Sequence, residues 1–377
     1  MVGYGTHADR HKGFLRHMLL LLLLSPAQAW WDTGHMLTAA IALKSMNKAQ
    51  VDEATKLLGD LPGYSTFASN FVSASHWADD IKRNGDAYAF SNWHFIDMPF
   101  PNRSSCSVNT ITDQNIVTAL EGARKNLVNA SVAGWTRAFS LRFVLHLMGD
   151  IHQPLHTTSR CTSEHPKGDY GGNSFKLADK EFTNLHKFWD SCGGQYANTI
   201  AALCPYSNPD ACVENESRRV AAVMEEADRL MLEFPAASLG EDPFNKKEGA
   251  ANQVWSEETF MGYAKTSFSV VEEGWLYGEV EENMLPTDAY VSRVRSTTRE
   301  RIATGGYRLA SLLNANLVTS SGCSASVDNG GSGGGLIVGF SVFLSFTCVG
   351  LIAAVVFFWS KVKQLRSKDE RPPFTAL

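Results

Sequence analysis

Three short stretches place imidazoles and carboxylates where one ion could gather them. In "FVLHLMGDIHQPLH", His146 and Asp150 stand four residues apart in an apolar run, so a helix puts them on one face. "NLHKFWD" repeats the pattern with His186 and Asp190. "HWADD" offers Asp79 and "NWHFID" offers His94 and Asp97. Burying an imidazole beside a carboxylate is costly unless something pairs with both. A plain His–Asp hydrogen bond does so, and so does zinc. Together the fragments give His and Asp donors in apolar, aromatic settings, a donor set that suits several zinc ions with N and O ligands.

Helices must position these groups. Apolar residues recur at three- and four-residue spacing in "HMLTAAIALKSM", "VDEATKLLGDL", "TDQNIVTALEGARKNLVNAS", "WTRAFSLRFVLHLMGDIHQ" and "ESRRVAAVMEEADRLMLEF". Pro154 is expected to end the fourth of these near His152 or Gln153. His156 then folds back beside Asp150. Two packed helices joined around Gly305-Gly306 are expected near the end, and "NSFKLAD" is one short strand candidate. The fold class is mainly α, a single helical domain with long irregular loops.

The flanks add organisation. Basic residues, "HMLLLLLLS" and an Ala27-Gln28-Ala29 site read as a secretory signal over residues 1–29, cut before Trp30. Residues 30–319 form the folded domain and 320–335 a Gly/Ser tether. Residues 336–359 carry no charge over 24 positions, long enough for a membrane helix, and the basic residues after them assign 360–377 to a cytosolic tail. The expectation is a type I single-pass membrane protein, at the cell surface or an endomembrane, with its domain outside the cytosol. Six cysteines outside that span suggest disulfides, with the pairing open. Asn102, Asn129 and Asn215 begin N-x-S sequons. Residues 30–359 hold 26 basic and 36 acidic residues. Such a surface does not attract nucleic acid by itself, so a polyanionic substrate needs bound cations.

The motifs together resemble the zinc-dependent P1/S1 nuclease family. The matching pattern is Trp30 five residues before His35, then W-A-D, H-F-I-D fifteen residues later, H-x-x-G-D-x-x-Q-P-L-H and N-L-H-x-x-W-D. The signal, tether and single span further resemble the membrane-bound 3′-nucleotidase/nucleases of trypanosomatid parasites. The resemblance implies a helical fold of the P1 nuclease/phospholipase C type and three Zn2+. Asp79, His94, His146 and Asp150 would hold one ion. Asp150 would bridge to a second, completed by His35 and by Trp30 through its amino nitrogen and carbonyl oxygen. His156, His186 and Asp190 would hold the third. An α-amine has a pKa near 8, so zinc can displace its proton, whereas an internal amide is no such ligand.

The activity implied is hydrolysis of 3′-nucleotides and single-stranded RNA or DNA, with Asp79, Lys82 and Asp150 in catalytic roles. Lys82 would neutralise the transition state. Phe95 and Asp97 would bind the base by stacking and edge hydrogen bonds. His76, His152 and His165 take no part. No protein partner is implied. Two rivals remain: a zinc phospholipase C of the same fold, and a zinc-stabilised surface receptor without catalysis.

Overall fold

Two long helices carry almost no polar face, and they set the architecture. The computed structural model of the chain describes residues 30–59, 70–83, 88–101, 106, 112–196, 209–244 and 255–319. The chain divides into two units, Met1–Cys323 and Ser324–Leu377, and the described residues all belong to the first. Helix α1 (Asp32–Lys44) is buried continuously from Gly34 to Ala42. Helix α2 is Lys48–Gly59, α3 is Trp77–Arg83 and α4 is Ile116–Leu127. Helix α5 (Gly134–Asp150) is buried continuously from Ser140 to Asp150. A helix apolar on all sides belongs in a core, and α5 is packed by α1, α2 and α4.

The remaining helices close around this pair. They are α6 (Leu185–Asp190), α7 (Pro209–Glu233), α8 (Glu257–Glu272), α9 (Trp275–Gly278) and α10 (Asp288–Asn316). Polar side chains fix several starts. Asn115 accepts from the amides of Val117 and Thr118, and Thr118 Oγ1 accepts from the Asn115 amide in return. Such a cap is worth about 1 kcal/mol. Asn184 caps α6 through the Lys187 amide at 2.8 Å. Strands β1 (Met98–Phe100) and β2 (Thr158–Arg160) pair in parallel, Met98 opposite Thr158.

The mainly helical reading holds, and particular expectations need correction. Gly305 and Gly306 do not join two helices: α10 runs unbroken through them. A Cβ on Gly306 would lie 2.6 Å from the Ile41 Cβ, so this glycine lets α10 lie close on α1. "NSFKLAD" forms only an isolated bridge, Lys176 to Asn184, because the chain turns at both ends of it. Helix α5 stops at Asp150, before His152. Cys106 and Cys161 form a disulfide, while Cys192 is buried and free. Residues 336–359, the expected membrane helix, lie outside the described residues, as do 1–29, 320–335, 360–377 and Asn102. The type I localisation is corrected too. No helix among the described residues is long and apolar enough to cross a membrane. The long helices α7 and α10 are studded with Arg, Asp and Glu, each costing about 2.5–3.5 kcal/mol at the centre of a membrane. Asn129 is exposed, and Asn215 lies on α7.

Candidate metal centre

The fold brings every sequence-derived donor into one buried region. His35 comes from α1, Asp79 from α3, and His146 and Asp150 from α5. His94 ends the turn Tyr88–His94, and His156 ends the turn Pro154–His156. The parallel pairing of β1 and β2 continues back to the site. The Ile96 amide donates to His156 O at 2.8 Å, and His156 Nδ1 donates to His94 O at 2.7 Å. Two short strands thus hold His94 and His156 side by side. His186 and Asp190 are four apart on α6, and the Trp31 amide donates to Asp190 O at 3.0 Å. That bond ties the Trp30 turn to the third group.

Three clusters result: His35, His146 and Asp150; Asp79, His94 and His146; and His156, His186 and Asp190. Asp150 is central. Its Oδ1 lies 3.3 Å from His35 Nε2, and its Oδ2 lies 3.1 Å from His94 Nδ1 and 3.2 Å from His146 Nε2. Asp79 Oδ1 lies 3.6 Å from that His94 nitrogen and 3.7 Å from that His146 nitrogen. His94 Nδ1 and His146 Nε2 are 3.0 Å apart. Four donors at zinc bond lengths of about 2.0–2.2 Å, placed tetrahedrally, would be about 3.3–3.6 Å apart. The spacing fits. So do the orphaned atoms: among the described residues the cluster atoms His35 Nε2, His156 Nε2, Asp150 Oδ1 and Asp190 Oδ2 are buried without a hydrogen-bond partner.

The outer nitrogens of three imidazoles are spoken for. His146 Nδ1 donates to Ser75 O, His156 Nδ1 to His94 O, and His186 Nδ1 to Gly171 O, each at 2.7 Å. Each bond fixes the tautomer and leaves Nε2 for the site, the arrangement typical of metal-binding histidines. His152 Nδ1 also donates to a carbonyl, Met148 O, but its Nε2 faces Arg308 Nη1 at 3.2 Å. A guanidinium there leaves no place for a cation.

Electrostatics are those of a site expecting cations. Burial and the Lys82 charge lower the His94 pKa to about 4, so that ring is neutral at pH 7. Burial and the neighbouring His146 lower His35 as well. Burial would raise Asp79 and Asp150, but Lys82 at Asp79 and the imidazoles at both hold them well below the usual carboxylate range. Burial disfavours charge on His156, yet Asp150 and Asp190 lift its pKa to about 9. Lys82 is buried, its Nζ 2.8 Å from Asp79 Oδ1, and so is no solvated surface lysine. Phe95 and Asp97 are half-buried, one and three residues after His94. Burial and Asp169, against the pull of His156, raise Asp97 to about 6. Trp30 is fully buried, and its indole donates to Gly149 O at 2.8 Å.

Two positioning groups escaped the sequence reading. Gln153 Nε2 donates to Asp190 Oδ1 at 2.7 Å while its Oε1 accepts from the Leu155 amide, which orients Asp190. Its place between Asp150 and His156 was the available signal. Gly149 is the other: a Cβ there would come within 2.7 Å of His35 Nδ1.

A helical scaffold with three adjoining buried His/Asp groups, each able to hold a metal ion, is the class that this geometry defines. A family model described as S1/P1 Nuclease matches residues 30–318, and the chain belongs to that family. Nuclease S1 of Aspergillus oryzae is 31% identical over 191 residues, covering 48% of this chain and 62% of that protein. Endonuclease 4 of Arabidopsis thaliana is 26% identical over 324 residues, covering 80% of this chain and 93% of that protein. Nuclease P1 of Penicillium citrinum is 26% identical over 167 residues, 43% of this chain and 57% of that protein. The chain thus spans less than two thirds of the two fungal relatives and nearly all of the plant one.

Proposed function

We propose that the chain is a zinc-dependent phosphoesterase that hydrolyses 3′-nucleotides and single-stranded RNA or DNA. The observation carrying this reading is the convergence of Asp79, His94, His146 and Asp150 at zinc-like spacing beside two further His/Asp clusters. Three zinc ions are the natural complement. Asp79, His94, His146 and Asp150 hold the first. Asp150, His35 and the Trp30 terminus, freed by cleavage after Ala29, hold the second. His156, His186 and Asp190 hold the third. When bound, zinc neutralises phosphate charge and acidifies water near neutral pH.

The chain's own side chains supply the rest. The backbone-anchored Nδ1–H groups of His146, His156 and His186 keep each Nε2 aimed inward, where a bound cation would displace any proton it carries. Gln153 holds Asp190 in one rotamer. The buried ammonium of Lys82 adds positive charge next to Asp79, where a phosphoryl group would gather negative charge. Phe95 offers a stacking face that tolerates every base. Asp97, poised near pH 6, offers the base edge an acceptor and, when protonated, a donor.

One assay tests the reading. The purified chain, with and without chelator, is given 3′-AMP, 5′-AMP, single-stranded DNA and phosphatidylcholine. Chelator-sensitive release of phosphate from 3′-AMP and cleavage of DNA are expected. Hydrolysis of the lipid alone would make the protein a phospholipase C, and zinc binding without any hydrolysis would make it a non-catalytic receptor.

A further inference from the structure

Among its described side chains, helix α7 contributes no candidate ligand, yet it buries two charges. Its inward stripe is Glu216, Arg219, Val223, Ala227 and Leu230, all buried. The last three are ordinary core residues. The first two form an ion pair at 2.7 Å. A buried ion pair is seldom more stable than an apolar pair of the same shape, so stability alone gives little reason for it. Its contacts supply a better one.

Arg219 and Glu216 grip two of the segments that feed the Asp150 clusters. Arg219 Nη1 faces Asp32 Oδ2 at 3.4 Å. Asp32 is the first residue of α1, between Trp30 and His35. Arg219 Nη2 donates to His76 Nε2 at 2.9 Å, and His76 Nδ1 donates to Asp80 Oδ2 at 2.7 Å. Glu216 Oε1 accepts from Ser73 Oγ at 2.5 Å. The segment Ser73–Asp80 contains Ser75, whose carbonyl orients His146, and Asp79 itself. One guanidinium therefore spans two segments that lie 44 residues apart at Asp32 and His76.

We propose that Arg219 is a positioning residue. It fixes the Trp30–His35 turn relative to Ser73–Asp80, and so sets the affinity of the metal position that uses Trp30, His35 and Asp150. The proposal rests on the three-zinc reading above. Arg219 touches no candidate ligand in the contacts that define this role; it acts through Asp32 and His76. The third cluster, His156, His186 and Asp190, is contacted by neither arm, and the Trp31 amide meets the Asp190 backbone carbonyl rather than a ligand atom, so this cluster provides an internal reference.

The test counts zinc released from the full chain as chelator is raised, for wild type, Arg219→Met, Asp32→Asn and Asp32→Glu. Arg219→Met and Asp32→Asn should give up one equivalent at about 10- to 100-fold lower chelator strength, the usual effect of losing a residue behind a ligand. The most tightly held equivalent should stay at wild-type affinity. Asp32→Glu, still able to reach Arg219, should largely restore retention. If Arg219→Met does not fold, Asp32→Asn decides, since it leaves Arg219 paired with Glu216. A lower metal-free Tm with unchanged release of every equivalent would overturn the role, and so would equal weakening of all equivalents. A wild-type chain that binds no zinc overturns this proposal and the three-zinc reading together. Selective loss in a chain that hydrolyses no phosphoester supports the positioning role and refutes only the hydrolytic reading.

Discussion

Replacing Gly149 by alanine tests whether the closeness of α1 and α5 is what builds the centre. The added Cβ would sit 2.7 Å from His35 Nδ1, 3.1 Å from its Cε1 and 3.4 Å from Trp30 Cδ1. Ordinary contact begins near about 3.5 Å, so the imidazole must move by about 0.8 Å. It has little room, because it is fully buried and stacks on His146 with ring centroids 3.8 Å apart. Overpacking of this kind costs about 1–3 kcal/mol, and alanine in place of glycine in a helix returns about 0.5–1 kcal/mol. The balance is a loss of about 1 kcal/mol, with the strain falling on a ligand. Misplacing a reacting group by 1 Å can lower a rate by about 100-fold, so kcat on 3′-AMP should fall by about 10- to 100-fold. Gly122→Ala is the control, since its Cβ meets nothing within 4 Å. That variant should gain about 0.5–1 kcal/mol and keep its activity. Tm, zinc content and kcat are measured on all three proteins. A Gly149→Ala protein that is more stable than wild type, with full zinc and full kcat, would refute the close-approach reasoning.

Three further outcomes are expected. Asp150→Asn removes the anion shared by His35, His94 and His146; zinc content and turnover should both collapse, and retention of three ions with ordinary kcat would exclude a bridging role. Phe95→Ala should raise KM by about 5- to 150-fold, the equivalent of about 1–3 kcal/mol of stacking, with zinc unchanged; an unchanged KM would reduce Phe95 to packing. Burial, Arg308 and Arg301 hold the His152 pKa well below 6.5, so its contribution to stability is complete above pH 6.5 and is lost as pH falls toward the folded value. The Tm advantage of wild type over His152→Gln should therefore shrink between pH 7.5 and pH 5, and a gap constant with pH would contradict that sign.

Two of the His–Asp pairs that come together here were legible because each sits at helical spacing among apolar residues, where a charged residue has few other reasons to be. His146 with Asp150, and His186 with Asp190, needed only period 3.6 to be placed on one face. The helices were legible for the same reason. The β1–β2 pairing was not, because a three-residue parallel ladder leaves no alternation to detect. Gly305-Gly306 misled, since a glycine pair reads as a break unless the partner helix is known, and here Ile41 occupies the space. Arg219 and Glu216 were hidden within an amphipathic pattern, where charges are assigned to the outer face by default.

The site's supports were the least legible part, and the reason is chemical. Backbone oxygens, not side chains, orient His146, His156 and His186. A carbonyl is present at every residue, so nothing in the residue types reveals which one is used. The requirement surfaces only where the backbone must come unusually close. Gly171 is such a place: its φ is +62°, and a Cβ would lie 2.2 Å from Leu155 O and 3.2 Å from His186 Nδ1. Only glycine can bring that carbonyl to the ring. Gly149 plays the matching part for His35. In a centre held this way, the side chains state which ligands are present, and the glycines state how closely the chain must approach them.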